Sequence, residues 1–214
     1  MRNRFDRELV QLNDELIEMG SLIEKAIEMA VTALVKQDVE LAQKTIAMNT
    51  EIDNQERTIE NLCLKLLLQQ QPVARDLRQI SAALKMITDM ERIGDHAADI
   101  SEMTILMAGT PYIRNIEHLQ TMAKEAMVML VKSIEAYVEK DLEKAEKVIE
   151  SDDIIDDLFD QIKAELIDAI HQNPDNGEQA ADLLMVSKYL ERIGDHATNI
   201  AEWVIFSITG NHPG

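Results

Sequence analysis

The sequence predicts an all-α protein made of two tandem homologous three-helix bundles. Three observations predict it. Apolar residues recur at helical spacing, as in Leu9, Leu12, Leu16, Met19, Ile23, Ala26, Ile27 and Ala30. Chain breakers are scarce, with 7 Gly and 4 Pro in 214 residues, so the elements must be few and long. And Glu91-Arg92-Ile93-Gly94-Asp95-His96-Ala97 recurs as Glu191-Arg192-Ile193-Gly194-Asp195-His196-Ala197, 100 residues later.

The elements follow in order. The first helix spans 4–36 and ends before Asp38, a good N-cap for a second helix over 39–70. Gln71-Pro72 breaks the chain, and a third helix covers 74–108. Gly109-Thr110-Pro111 marks the boundary between the halves, which run 1–109 and 112–210. A fourth helix over 114–139 stops before Asp141, the N-cap of a fifth over 142–172. Asn173-Pro174-Asp175-Asn176-Gly177 is a loop, and the sixth helix covers 178–208. Within the halves, Gln37-Asp38 matches Lys140-Asp141, and Ile52-Asp53 matches Ile155-Asp156, at an offset of 103. The three-residue difference falls between the second and third helix of each set, where loops absorb length.

Composition narrows function. The formal charge is −19, with 40 acidic and 21 basic residues, so the phosphate backbone of a nucleic acid is repelled. An anionic membrane surface is disfavoured for the same reason, and no stretch of 18 apolar residues offers direct membrane insertion. The expected partners are cations or basic protein surfaces, although charge of this size also simply maintains solubility. Cys63 is the single cysteine, set in Leu62-Cys63-Leu64, and reads as a buried inert thiol. With no apolar leader after Met1, the expected compartment is the cytoplasm.

Two sets of carboxylates stand out. The apolar line through Leu77, Ile80, Leu84 and Ile87 continues into Glu91, Gly94 and Asp95. At 100° per residue, Glu91 and Asp95 lie within about 20° of the line through Leu84. In the second half, Leu183, Leu184 and Ser187 lead to Glu191, Gly194 and Asp195. Asp99 and Asn199 follow one turn later. On the second helix of each half, Asn49 and Asp53 correspond to Asp152 and Asp156. Carboxylates on a packing face are costly unless paired or neutralised, and two helices converging acids on one spot suit a hard or borderline cation.

Chance alone gives about seven or eight acid pairs at i, i+4 in so acidic a chain; recurrence in both halves is what raises these. Periodicity leaves open a cation site or a solvent-facing polar groove. By charge count, four carboxylates in the second set against three and an amide in the first make the second set the stronger cation site. Gly94 and Gly194 imply close approach by a neighbouring helix, since glycine costs about 1 kcal/mol against alanine in a helix. His96 and His196 are turned about 100° from the adjacent Asp and read as surface or supporting residues. Arg92 and Arg192 read as partners for nearby acids. There is no Glu-x-x-His, Walker motif or nucleophile–base signature, so no enzyme is expected.

The repeated Glu-Arg-Ile-Gly-Asp-His-Ala segments, set in a duplicated three-helix unit, resemble the PhoU family of bacterial phosphate-uptake regulators. The resemblance spans nearly the whole chain. It implies a cytoplasmic negative regulator of the phosphate regulon, peripherally associated with membrane proteins. Such a protein couples the ATPase subunit of the phosphate ABC transporter to a phosphate-sensing histidine kinase, and it is expected as a homodimer. The resemblance also implies multinuclear clusters of a divalent or trivalent metal, iron or zinc, on Glu/Asp-x-x-x-Asp motifs. By position, Glu91, Asp95 and Asp99 belong to one site opposite Asp53, and Glu191, Asp195 and Asn199 to the other, opposite Asp152 and Asp156. Asn49 departs from the acid expected there. The competing reading is a metal-dependent hydrolase or a metal store built on the same acids.

Overall fold

The structure is a computed structural model that describes residues 2–69, 73–114 and 116–213, with the side chains of residues 2–4 and 69 left out of the description. The helices are α1 (Arg2–Lys36), α2 (Val39–Gln69), α3 (Ala74–Met107), α4 (Glu117–Glu139), α5 (Leu142–Glu150), α6 (Asp152–Gln172) and α7 (Gly177–Thr209), with a 3₁₀ turn at Pro174–Asn176. No strand occurs among the described residues. All six expected helices are present, and the fifth is interrupted. The expected break at Gln71-Pro72 lies outside the described residues.

The interruption is at Ser151. Its hydroxyl donates back to the Lys147 carbonyl at 2.8 Å, and its backbone N–H reaches the Lys147 and Val148 carbonyls. A serine that bonds its own preceding turn competes with the helical ladder and bends it. The corresponding residue of α2 is Met48, which is buried and has no such donor.

The duplication extends to the turns. Gln37 and Lys140 occupy equivalent positions, and both are left-handed, with φ of 51° and 58°. Each is followed by an aspartate whose Oδ1 caps the next helix. Asp38 accepts from the Leu41 N–H and Asp141 from the Lys144 N–H, both at 3.0 Å. Both Asp38 and Asp141 donate their own N–H to a carbonyl five residues back, at 2.9 and 3.0 Å.

In the first half α1, α2 and α3 pack together; in the second α4 packs with α5, α6 and α7. The halves meet mainly along α3 and α7, with α1 against α4. One apolar core runs through both, joining Leu16, Ile52 and Met86 to Leu130, Ile155 and Leu190. Each such side chain contributes about 1.5–3 kcal/mol by leaving water. The connection between halves is strapped down. Gln179 of α7 accepts from the Ile113 N–H at 2.6 Å and donates to the Pro111 carbonyl at 3.1 Å. The Tyr112 hydroxyl donates to Leu34 at 2.6 Å. Cys63 is fully buried, and burial pushes its thiol up to about 12, so it is inert.

Two carboxylate clusters and the seam between them

Glycine brings α2 against α3. A Cβ on Gly94 would lie 3.0 Å from Ile52 Cδ1 and 3.1 Å from Asn49 Oδ1. In the second half a Cβ on Gly194 would lie 3.2 Å from Ile155 Cγ2. The close approach expected of both glycines is therefore present, and it is what sets the acids of paired helices side by side.

In the first half, Asp53 of α2 and Glu91 and Asp95 of α3 each present an oxygen within 4.8 Å of the others. All three are partly buried. Asn49 donates from Nδ2 to Asp95 Oδ1 at 2.9 Å, which leaves its own Oδ1 buried and without a partner. Asp53 Oδ1 is also buried without a partner. Arg92 reaches Asp95 at 3.3 Å and Glu91 at 3.6 Å from the solvent side, the acid pairing expected of it. Burial raises Glu91 above the usual carboxylate range, the Asp95 charge adds to the shift, and Arg92 opposes it.

Glu56 adds its charge beside this cluster, an influence that sequence reasoning missed. Burial raises it too, with the charges of Glu60 and Asp53 adding, and its charge in turn raises Glu91. The signal was available: Glu56 lies three residues beyond Asp53, on the same helix face.

The second cluster is looser. Asp152 and Glu191 are partly buried, whereas Asp156 and Asp195 are exposed. Asp152 is raised to about 6, first by burial and then by the charges of Asp195 and Asp156, and its Oδ1 is buried without a hydrogen bond. Burial and Glu191 raise Asp156 and Asp195 as well. A cation is already present here. Lys188 forms an ion pair with Glu191, lowers Asp156 and Asp195, and lies 5.4 Å from the ring centroid of Phe159. At the corresponding positions the first half has Thr88 and Glu56. The charge count behind the expectation of a stronger second site leaves out Lys188, which pairs with Glu191, and Glu56, whose charge acts on Glu91.

Two expected site residues lie elsewhere. Asp99 turns to His96, whose Nδ1 is 3.0 Å from Asp99 Oδ2, and is not among the three gathered acids. Asn199 donates to Asp89 Oδ1 at 3.1 Å, and His196 Nδ1 lies 2.8 Å from the same oxygen. His96 is not on the surface. It is buried, and it stacks on Tyr189 and His196 at 5.6 and 5.7 Å between centroids. This seam joins the two repeated motifs across α3 and α7. One residue's rotation, about 100°, takes the histidines away from the acid clusters and into the contact between halves.

The first donor set fits a metal ion, and the second shares its chemistry without the same convergence. Both are all oxygen, both draw on two helices, and Asp53, Asn49 and Asp152 each hold a buried oxygen with no donor. Such oxygens lack what a hard cation supplies.

The chain matches the family model described as PhoU domain twice, over residues 16–104 and 119–204. A phosphate-specific transport system accessory protein PhoU homolog of Clostridium acetobutylicum is 39% identical over 98% of this chain and 96% of its own length. The crystal structure of PhoU from Pseudomonas aeruginosa superposes with a TM-score of 0.91 at 31% identity, covering 97% of this chain and 100% of that one. The phosphate transport system regulatory protein PhoU from Streptococcus pneumoniae gives a TM-score of 0.90 at 27% identity, over 98% and 99% of the two chains.

Proposed function

The chain belongs to the PhoU family, and on that premise we propose that it is an accessory protein of phosphate-specific transport that acts as a negative regulator of the phosphate regulon. It works as an adaptor between the ATPase subunit of the phosphate ABC transporter and a phosphate-sensing histidine kinase. It is a cytoplasmic homodimer rather than an enzyme, peripheral to those membrane proteins. No helix among the described residues is long and apolar enough to cross a membrane, which is compatible with this role. The observation that carries the reading is the whole-length, twice-repeated match to relatives named as accessory or regulatory proteins.

The carboxylate clusters hold metal ions in this reading. Asp53, Glu56, Glu91 and Asp95, with Asn49 Oδ1, form one site; Asp152, Asp156, Glu191 and Asp195 form the other. An oxygen-only donor set favours a hard ion, so iron is a better match than zinc. Neutralising the clustered acids would stiffen the contact of α3 with α2 and of α7 with α6.

The test is co-purification. The tagged chain, expressed in phosphate-replete cells, should retain the transporter ATPase and the kinase from solubilised membranes, and release them as salt rises. Recovery of neither partner at low salt contradicts the adaptor role. Light scattering should give twice the 24.2 kDa chain mass.

A further inference from the structure

Between the N-terminal turns of α3, the end of α4 and the end of α7 lies a polar cavity of about 390 Å³. Arg75 and Arg78 line it from α3, Lys140 from the left-handed turn after α4, and Tyr137 and Ser207 complete the wall. Three cations and no acid line this cavity, in a chain with 40 acidic and 21 basic residues. Drawn at random from that pool, three charged residues would all be basic only about one time in 25. None of the three makes an ion pair among the described residues, and Arg78 Nε is buried with no hydrogen-bond partner.

The plainer reading is that Arg78 only caps α7. It does lie against Gly210, the left-handed residue that ends that helix, where the carbonyl dipoles favour a cation. Capping leaves the Nε donor unused, and it does not explain Arg75 or Lys140 on the same cavity.

We propose that this cavity binds a small condensed oxyanion, of which pyrophosphate is the simplest. A single phosphate group carries about −1.5 to −2 at neutral pH, so two such groups match three cations. Two i, i+3 arginines on one helix face present guanidinium forks suited to phosphoryl oxygens. At about 30 Å³ per water, the cavity holds on the order of a dozen waters, which is room for more than one phosphoryl group. The aromatic residue of the wall, Tyr137, is almost fully buried, so it offers no free face for a nucleobase. The wall draws on both halves, so an occupant would bridge them. Glu91 lies 13 residues beyond Arg78, about 20 Å along α3, so the site is separate from the carboxylate clusters. The net charge of −19 favours a soluble ligand over an anionic lipid headgroup.

The experiment is calorimetric titration of the full chain with sodium pyrophosphate in excess chelator, which removes any route through bound metal. Orthophosphate, phosphatidate vesicles and a Lys163→Gln control are run beside it. The proposal expects one pyrophosphate per chain and weaker orthophosphate binding. It expects at least a tenfold loss in Arg78→Gln, a smaller loss in Arg75→Gln, and no change in Lys163→Gln. Helix content by circular dichroism checks that each variant folds, and Arg75, being exposed, is the safer substitution. Absence of binding at millimolar pyrophosphate, equal affinity in both arginine variants and wild type, or tighter binding to the vesicles would each overturn it.

Discussion

Replacing Asp152 by Asn should stabilise the metal-free protein while weakening its hold on metal. Asp152 sits in the first turn of α6, where a helix dipole favours a carboxylate, yet it is raised to about 6. Burial comes first among the causes, and the charges of Asp195 and Asp156 follow. The reference value is 3.8, so the folded state binds a proton more tightly than the unfolded chain. The associated stability is fully present below pH 3.8 and is lost as pH rises through about 6. A gap of about two units corresponds to at most about 3 kcal/mol, and solvent screening of this partly exposed group reduces that to about 1–2 kcal/mol.

At pH 7 in chelator, Asp152→Asn should therefore melt higher by roughly 2–8 °C, given about 2–4 °C per kcal/mol for a chain of this size. At pH 4 most of the difference should be gone. Added iron or manganese should raise the wild-type midpoint more than that of the variant, because a cation relieves the repulsion that Asn has already removed. Differential scanning fluorimetry at the two pH values, with and without metal, reads all of these. A variant less stable than wild type at pH 7 in chelator would refute the reasoning, since Asp152 would then be making a favourable contact that the clustered acids do not allow.

Other outcomes follow from the same geometry. Gly94→Ala should destabilise by about 1 kcal/mol in urea unfolding, because overpacking against Ile52 and Asn49 outweighs the gain in helix propensity. Gly194→Ala, whose contacts begin at 3.2 Å, should be close to neutral; equal effects would contradict the tighter first-half packing. Lys188→Gln should tighten metal binding at the second cluster by about 3–10-fold in calorimetry, since the ion pair it removes is worth about 1 kcal/mol; unchanged affinity would mean that Lys188 does not compete. Asp89→Ala strips the acceptor shared by His196 and Asn199 and should cost about 1–3 kcal/mol in thermal melts. A neutral result there would mean that these hydrogen bonds do not stabilise the contact between halves.

Much of the fold was legible because helical periodicity and the caps agreed. Asp38 and Asp141 cap as expected, and the helix ends fall within a few residues of the periodic segments. The interruption at Ser151 was not legible. Apolar spacing runs through it, and the cause is a side-chain hydroxyl choosing its own backbone. For the clusters, spacing placed Asp53, Glu91 and Asp95 on converging faces and the glycines between them. It could not assign Asp99, because competition between a metal cluster and His96 is decided by the packing of α7 on α3. Nor could it place Lys188, whose long side chain reaches forward a turn to Glu191. The surface alternative fails for His96, which is buried, because one half's motif says nothing of the other half's motif facing it.

The most direct test joins the sites to the regulation. In a strain lacking this chain, a phosphate-regulon reporter is measured in replete phosphate after complementation with wild type or with Asp53→Asn/Glu91→Gln/Asp152→Asn/Glu191→Gln. Loss of the chain should leave the reporter on, wild type should switch it off, and the quadruple variant, expressed at equal level, should not. A reporter that stays off in the deletion strain, or full repression by the quadruple variant, would contradict the account.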